Sequence, residues 1–311
     1  MNSMGKALFI VGPTATGKTK LALQILKVIP SVIISADSRQ VYQGMDIGTG
    51  KDTPTDGTKI ELLNEVFPNE EWSVSHFQKR AEALAKKAWN TNTLPIFVGG
   101  TGLYLQTLVE EYETVDIPQN LELRKVLDKQ DMLTLQKTLE SADQERFLSM
   151  NNSDKNNGRR LVRAIEVADY LRTHKQTQRR QTHMFSDVLW IGLTGELRDI
   201  EYRIRVRVED RMNAGMIQEV QQLIKNYPSW NFPAFSATGY AEIRSYLEGR
   251  TTKEEAIHLW MLHELQYAKR QMTWFKKRLN MYWFEANDPH VHARVEKRLR
   301  SWYYKKHESK N

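Results

Sequence analysis

Gly12-Pro-Thr-Ala-Thr-Gly-Lys-Thr19 fits the phosphate-binding pattern of a glycine, four free positions, then Gly-Lys and a hydroxyl residue. Its flanks decide how it reads. Ala7-Leu-Phe-Ile-Val11 before it has the unbroken apolar run of a buried parallel strand. Lys18 to Val28 after it spaces Leu21, Leu23, Ile25, Leu26 and Val28 as an amphipathic helix does. Strand, glycine-rich loop and helix in that order make an anion cradle. Gly12 and Gly17 let the backbone N–H groups of Thr14, Ala15 and Thr16, which follow Pro13 in the loop, turn inward, and the helix N-terminus adds about half a positive charge. Lys18 can then neutralise phosphate oxygens, and the Thr19 hydroxyl can ligate Mg²⁺. The loop is expected to hold a diphosphate or a triphosphate; a chance glycine-rich turn would not explain the flanks.

Outward from the loop, Val32-Ile-Ile-Ser35 reads as a second strand running into Asp37, with a polar, glycine-rich loop beyond it through Gly44, Gly48, Gly50 and Gly57. Ser75 and Gln78 have the spacing of a capping box that opens a helix through Ala81, Leu84, Ala85 and Ala88. Pro95-Ile-Phe-Val98 is a third strand, ending in Gly99-Gly-Thr-Gly-Leu-Tyr104. Strands alternating with helices predict a parallel α/β sheet with ligands at the carboxyl ends of its strands. From Tyr112 to Phe185 the strand pattern disappears. Leu121, Leu123, Leu127, Leu133, Leu135 and Leu139, then Leu161, Ile165, Ala168 and Leu171, indicate short helices around a polar break at residues 151–158. Val188 to Leu193 returns as a strand, long helices follow, including one over Asp199 to Lys225, and Met281 to Phe284 is a last short strand. The predicted class is therefore α/β: a phosphate-loop parallel sheet core with flanking helices, residues 1–111 and 186–311, carrying an inserted all-helical subdomain, residues 112–185.

The chain has 311 residues, 40% of them hydrophobic, enough for one large domain with a smaller one attached. With no cysteine, disulfides, thiolate metal sites and cysteine nucleophiles are excluded, and a reducing compartment suits the chain. The first apolar run stops at Gly12 and Pro13, too short for a membrane span, so a cytoplasmic protein with no membrane partner is expected. His258 and His263 stand five apart and read as ordinary helix residues.

The formal net charge of +7 is concentrated. Residues 159–180 hold Arg159, Arg160, Arg163, Arg172, Lys175, Arg179 and Arg180 against Glu166 and Asp169. Lys269-Arg-Gln-Met-Thr-Trp-Phe-Lys-Lys-Arg278 holds five cations and no acid, with two aromatic rings among them. Solvated helix faces would look similar, but basic clusters interleaved with aromatics suit phosphates and unpaired bases. Arg203, Arg207 and Arg211 recur every four residues along one helix stripe. Either an anion lies against them or Glu201, Glu209 and Asp210 offset them in an ion-pair network.

A phosphate loop alone does not separate phosphoryl transfer from departure of an intact diphosphate. Asp37 narrows the choice, because a carboxylate at the strand end beside the loop can take a proton from an incoming nucleophile, although it could also cap a turn through Ser38. In combination, Gly12 to Thr19, Asp37-Ser-Arg-Gln-Val-Tyr42, Gly44-Met-Asp-Ile-Gly-Thr49 with Lys51, Gly99 to Tyr104, Arg163-Ala-Ile-Glu-Val167, Arg203-Ile with Arg207, Asp210-Arg-Met212 with Gly215 and Glu219-Val220, Gly239-Tyr240 and Lys269 to Trp274 form an ordered set over roughly residues 6 to 284. That set resembles the bacterial tRNA dimethylallyltransferases, also called tRNA isopentenyltransferases.

The resemblance implies transfer of a dimethylallyl group from dimethylallyl diphosphate to N6 of the adenosine 3′ to certain tRNA anticodons, with the insertion gripping the anticodon stem. It implies that residues 12–19 hold the diphosphate, with Mg²⁺ on Thr19, and that Asp37 is the base, Thr101 lies beside the acceptor and Arg211 beside the diphosphate. Ser38, Arg39 and Gln40 would contact the extruded base. Arg124, Arg159, Arg160 and Arg163 would meet the tRNA, as would Lys269 and Arg270 from the second basic cluster. A monomer is the expected form. The chain departs from the family at Lys59 to Asn64, at Gly50, where alanine is usual, and at Asp116-Ile-Pro118, a thinned proline-rich stretch. Three rivals share parts of the pattern: an adenylate isopentenyltransferase acting on AMP, ADP or ATP, a small-molecule kinase, and a non-catalytic or ATP-hydrolysing RNA-binding module.

Overall fold

The computed structural model describes residues 5–110, 114, 117–174 and 184–305. Tyr112, Asp116, Lys175, Arg179 and Arg180 lie outside these. The chain divides into two compact units, one of Met1–Val109 with His183–Asn311 and one of Glu110–Thr182. No helix among the described residues is long and apolar enough to cross a membrane.

In the first unit, β1 (Lys6–Val11) leads through the phosphate loop into α1 (Lys18–Leu26), followed by β2 (Ser31–Ser35), β3 (Ile60–Glu61), α2 (Val74–Asn90), β4 (Leu94–Gly99) and α3 (Gly102–Val109). In the second unit come α4 (Leu121–Leu127), α5 (Met132–Ala142), α6 (Gln144–Ser149), α7 (Asn152–Lys155) and α8 (Gly158–Thr173). The first unit resumes with β5 (Asp187–Thr194), α9 (Leu197–Asn213), α10 (Met216–Asn226), a 3-10 turn (Pro233–Ser236), α11 (Tyr240–Leu247), α12 (Lys253–Lys276), β6 (Met281–Glu285) and α13 (Val291–Tyr303).

All six strands are parallel, in the order β3-β2-β4-β1-β5-β6. β1 is therefore a central strand, and its continuous apolar run follows from burial on both faces. Ala7, Phe9 and Val11 point to the side covered by α2 and α3, where Phe77, Ala81, Ala85 and Leu105 meet them. Leu8 and Ile10 point to the side covered by α1 and α13, with Leu21, Ile25, Val295 and Leu299. A third core joins α9 to α12 around Trp260 and Tyr240. The central sheet thus fixes three strand ends at one edge: Val11 before the loop, Ser35 before Asp37, and Gly99 before Thr101.

Several boundaries differ from expectation for local reasons. The helix after the second strand is capped by Ser73, not Ser75: Ser73 Oγ accepts from the His76 amide, and His76 Nδ1 faces the Ser73 amide to close the box. Gln78 instead donates to the Thr107 carbonyl at 2.9 Å. The helix over Asp199 to Lys225 breaks at Gly215, whose φ of 108° no side-chain-bearing residue adopts comfortably, so α9 and α10 are separate. β3 carried too few residues for its pattern to stand out. His263 is no ordinary helix residue, since its Nδ1 contacts the buried Glu242 carboxylate, which also accepts from the Gly239 amide at 2.8 Å.

Within the second unit each helix begins at an Asn or Asp whose side chain accepts from a backbone amide: Asn120, Asp131, Asp143, Asn151 and Asn157. The polar break at residues 151–158 is thus two caps around α7. Leu127, Leu135, Leu139, Leu161 and Ile165 form the small core, whereas Leu121, Leu133 and Leu171 of the same helix pattern are exposed.

Candidate active site

At the carboxyl ends of β1, β2 and β4 lies a cavity of about 560 Å³, within the range of small-molecule sites. Thr14, Ala15, Gly17, Lys18 and Thr19 of the loop line it, opposite Asp37, Ser38, Arg39 and Gln40. Gly12 lies just beneath: its φ is 142°, and an added Cβ would stand 2.3 Å from the Leu193 carbonyl oxygen on β5, so no larger residue fits. Pro13 closes the loop by accepting from Thr16 Oγ1 at 2.9 Å and Lys18 Nζ at 2.7 Å.

The lining carries Lys18, Lys20, Arg39, Arg207, Arg211 and Arg270 against Asp37, Asp52 and Glu264. A surplus of cations in a partly enclosed space favours a multiply charged anion. Burial, and then the charge of Arg207, push the Lys18 ammonium down to about 8, against the pull of Asp37, Asp52 and Glu264. Burial and then Arg211 lower Arg207 likewise. Both groups gain from an incoming diphosphate.

The arginine stripe of α9 lies over the loop. Arg203 donates to the Ala15 carbonyl and Arg207 to Thr14 Oγ1, both at 3.4 Å, and Arg211 pairs at 3.0 Å with the buried Glu264 of α12. The acid partner of Arg211 is thus not one of Glu201, Glu209 or Asp210. Gly50 makes room for the stripe, since a Cβ there would meet Arg211 Nη2 at 2.2 Å and Arg207 Nη2 at 2.8 Å.

Asp37 performs the turn function and leaves chemistry open. Its Oδ1 accepts from the Arg39 amide at 2.8 Å, which fixes the carboxylate at the cavity that Asp37 lines. Thr101 stands beside it, its Oγ1 accepting from the Ser38 amide at 3.0 Å. Tyr267 of α12 bonds to Thr101, and burial followed by the charge of Asp37 raises its phenol well above the usual range, so it stays neutral.

Two expected base contacts have other partners. Gln40 accepts from Ser35 Oγ at 3.1 Å and donates to the Gly50 carbonyl at 3.1 Å, so it braces the 49–50 loop; Arg39 Nη1 donates to the Pro233 carbonyl at 2.7 Å. The expectation for Arg124 and Arg163 changes more. Arg124 is bidentate on the buried Glu166, at 2.6 and 2.7 Å, and Arg163 donates to the Thr114 and Ile117 carbonyls at 2.8 Å each and to Glu166 at 3.3 Å. Burial alone would raise the Glu166 carboxyl, but the bonds from Arg124, the Asn120 amide and Arg163 outweigh it and hold it below the usual range. These two arginines hold the helical unit together. Arg159 and Arg160 are exposed, Arg160 beside Asp154, and Lys269 and Arg270 are exposed on α12. Of those four only Arg270 lines the cavity.

Sequence reading missed three members of the site. Glu264, Tyr267 and Gln271 line the cavity from one face of α12, and their spacing of three and four residues was the available signal. Glu219, a member of the ordered set, had no role assigned to it. Its carboxylate accepts from the Asp46, Ile47 and Gly48 amides at 2.8, 2.7 and 3.0 Å and from the Tyr240 hydroxyl at 2.7 Å, which shapes the loop carrying Gly48 to Gly50.

For Mg²⁺, the chain offers the Thr19 hydroxyl with the Asp52 carboxylate in the same cavity. That set fits an ion that takes one or two carboxylates and completes its shell with substrate phosphates and water. No cluster of three or more His, Cys, Asp or Glu that could cage a metal occurs among the described residues.

A parallel sheet with an anion loop on its central strand, a carboxylate at a nearby strand end and a net-cationic cavity defines a phosphate-loop α/β enzyme acting on a diphosphate or triphosphate. Comparison with known proteins narrows the class. The IPP transferase family model matches residues 40–278, and an isopentenyl transferase model matches residues 5–70. The tRNA dimethylallyltransferases of Geobacillus thermodenitrificans and Anoxybacillus flavithermus are 38% identical over 298 residues and 37% over 297, each alignment covering 93% of both chains. A tRNA isopentenylpyrophosphate transferase structure from Bacillus halodurans superposes with a TM-score of 0.70 at 32% identity, covering 95% of each chain. A eukaryotic dimethylallyltransferase acting on tRNA gives 0.76 at 25% identity, over 94% of this chain and 77% of that one. The chain belongs to the IPP transferase family.

Proposed function

We propose that this chain transfers the dimethylallyl group of dimethylallyl diphosphate to N6 of the adenosine on the 3′ side of the anticodon in tRNA, releasing diphosphate. What carries the reading is the placement of Asp37 and the phosphate loop in one cationic cavity, in a chain whose relatives are named for this reaction.

The loop amides, Lys18 and the α9 stripe bind the diphosphate and stabilise it as the allylic C1–O bond breaks. Preorganised charge of this kind contributes several kcal/mol. Mg²⁺ held through Thr19 would add Lewis-acid stabilisation of the same leaving group. The adenine amine is a weak nucleophile, because its lone pair is delocalised into the ring. As the C1–N6 bond forms, Asp37 accepts the N6 proton on its carboxylate, and Thr101 holds the acceptor side. The target nucleotide must leave its stack to enter. Exposed cations at Arg159, Arg160, Lys269 and Arg270 meet RNA phosphates, while Arg124 and Arg163 support the helical unit from within.

The test is incubation with carbon-labelled dimethylallyl diphosphate and, in separate arms, an unmodified anticodon stem-loop, AMP and ATP. Label in the stem-loop alone is the expected outcome. Label only in a free nucleotide points to an adenylate isopentenyltransferase, and γ-phosphate transfer without prenylation points to a kinase; either result overturns the proposal.

A further inference from the structure

Gln271 on α12 is 5% exposed and uses both ends of its amide. Its Oε1 accepts from the Thr14 amide at 2.9 Å, and its Nε2 donates to the Gly100 carbonyl at 3.2 Å. This pairing fixes the orientation of the amide, since only the oxygen can accept and only the nitrogen can donate. Gly100 is shaped around it, because a Cβ there would stand 1.8 Å from Nε2.

The two bonded groups belong to opposite halves of the site. Thr14 is in the loop that holds the diphosphate. Gly100 precedes Thr101, whose hydroxyl orders the Ser38 amide next to Asp37. The β1–β4 ladder ends at Val11 and Gly99, so beyond it the two loops leave the sheet separately, and Gln271 ties them together again. Transfer between a bound donor and a bound acceptor depends on the distance and angle between reacting atoms, and a misplacement of about 1 Å costs on the order of 100-fold.

We propose that Gln271 is a positioning residue that sets the donor carbon against the acceptor N6 through Thr14 and Gly100. The inference rests on the transferase reading above. Loss of the tie leaves donor ionisation intact but slackens the acceptor. Water then competes: the C1–O bond breaks, a water oxygen bonds to C1 and gives its proton to solvent, and dimethylallyl alcohol forms with diphosphate.

Gln271→Met keeps the volume and removes both bonds; Gly100→Ala leaves Gln271 present but drives it off its partner. The full-length protein is assayed in single turnover at saturating donor and stem-loop, counting prenylated RNA and dimethylallyl alcohol, with Kd for each substrate measured separately. Both variants are expected to transfer about 100-fold more slowly, with a larger share of alcohol, Kd values within about threefold of wild type, and less than additive loss when combined. If neither folds, Gln271→Glu, which keeps the Thr14 bond and loses the donor to Gly100, is read by the same product ratio. An unchanged product ratio overturns the proposal, whether transfer is unaffected or falls in step with donor affinity. Absence of transfer by the wild-type protein would overturn the transferase reading and this proposal with it, whereas normal wild-type transfer with an unchanged variant ratio overturns the role of Gln271 alone.

Discussion

Lys18 should make donor binding depend on pH in one direction only. Its ammonium titrates at about 8 in the free site instead of 10.5, because burial and Arg207 disfavour the charge. A bound diphosphate restores the charge, so above pH 8 binding must take up one proton. Affinity is therefore flat from pH 7 to about 8 and falls about tenfold per unit above it, approaching a hundredfold loss by about pH 10. Among the groups lining the cavity the guanidinium groups keep their charge, and the terminal phosphate of dimethylallyl diphosphate, a monoester, completes its ionisation near pH 6. Stability runs the other way. A lysine whose folded value lies below its unfolded one destabilises the free protein fully below pH 8, and this cost fades as pH rises towards 10.5. Dimethylallyl diphosphate should thus raise Tm more at pH 7 than at pH 9.5. Calorimetric titration with dimethylallyl diphosphate in buffers of different ionisation enthalpy reads both Kd and proton uptake. A profile flat to pH 10, or proton release on binding, would show that Lys18 is not the group that titrates. Lys18→Arg, which keeps its charge, should flatten the curve.

Asp37→Asn should lower single-turnover transfer by about 10² to 10⁴, the usual contribution of a positioned base, with donor Kd within about threefold. Arg160→Ala should reduce the salt slope of stem-loop binding by about one unit at unchanged Tm, whereas Arg163→Ala, which frees the Thr114 and Ile117 carbonyls and leaves Glu166 to Arg124 and the Asn120 amide, should lower stability by about 1 to 3 kcal/mol, read by denaturant unfolding. Glu219→Ala strips the acceptor from three consecutive amides and should raise hydrogen exchange at Asp46 to Gly48 while sparing the phosphate loop.

The sheet and the phosphate loop were legible because each rests on contiguous residues: an apolar strand, glycines at fixed offsets and a helix. Asp37 and Thr101 were legible because they sit at strand ends, where parallel sheets put their ligands. What a charged side chain would bond to was not. Arg124 and Arg163 sit among basic residues as candidate RNA contacts do, yet they close on Glu166, whose burial only packing reveals. Gln271 and Glu219 act across 257 and 173 positions of chain, on Thr14 and Asp46, and no local pattern encodes such a bond. Capping is local but degenerate: Ser73 and Ser75 both offer a hydroxyl, and His76 Nδ1 decides between them.

The loop's ligand is most directly tested with a donor labelled at once in its allylic carbon and its terminal phosphate, given to wild-type protein and anticodon stem-loop in a single turnover without ATP. The carbon label should pass to N6 of the adenosine 3′ to the anticodon while the phosphorus leaves as intact diphosphate in equal amount. Phosphorus on the RNA, orthophosphate in place of diphosphate, or a requirement for ATP would contradict a loop that holds the leaving group of a prenyl donor.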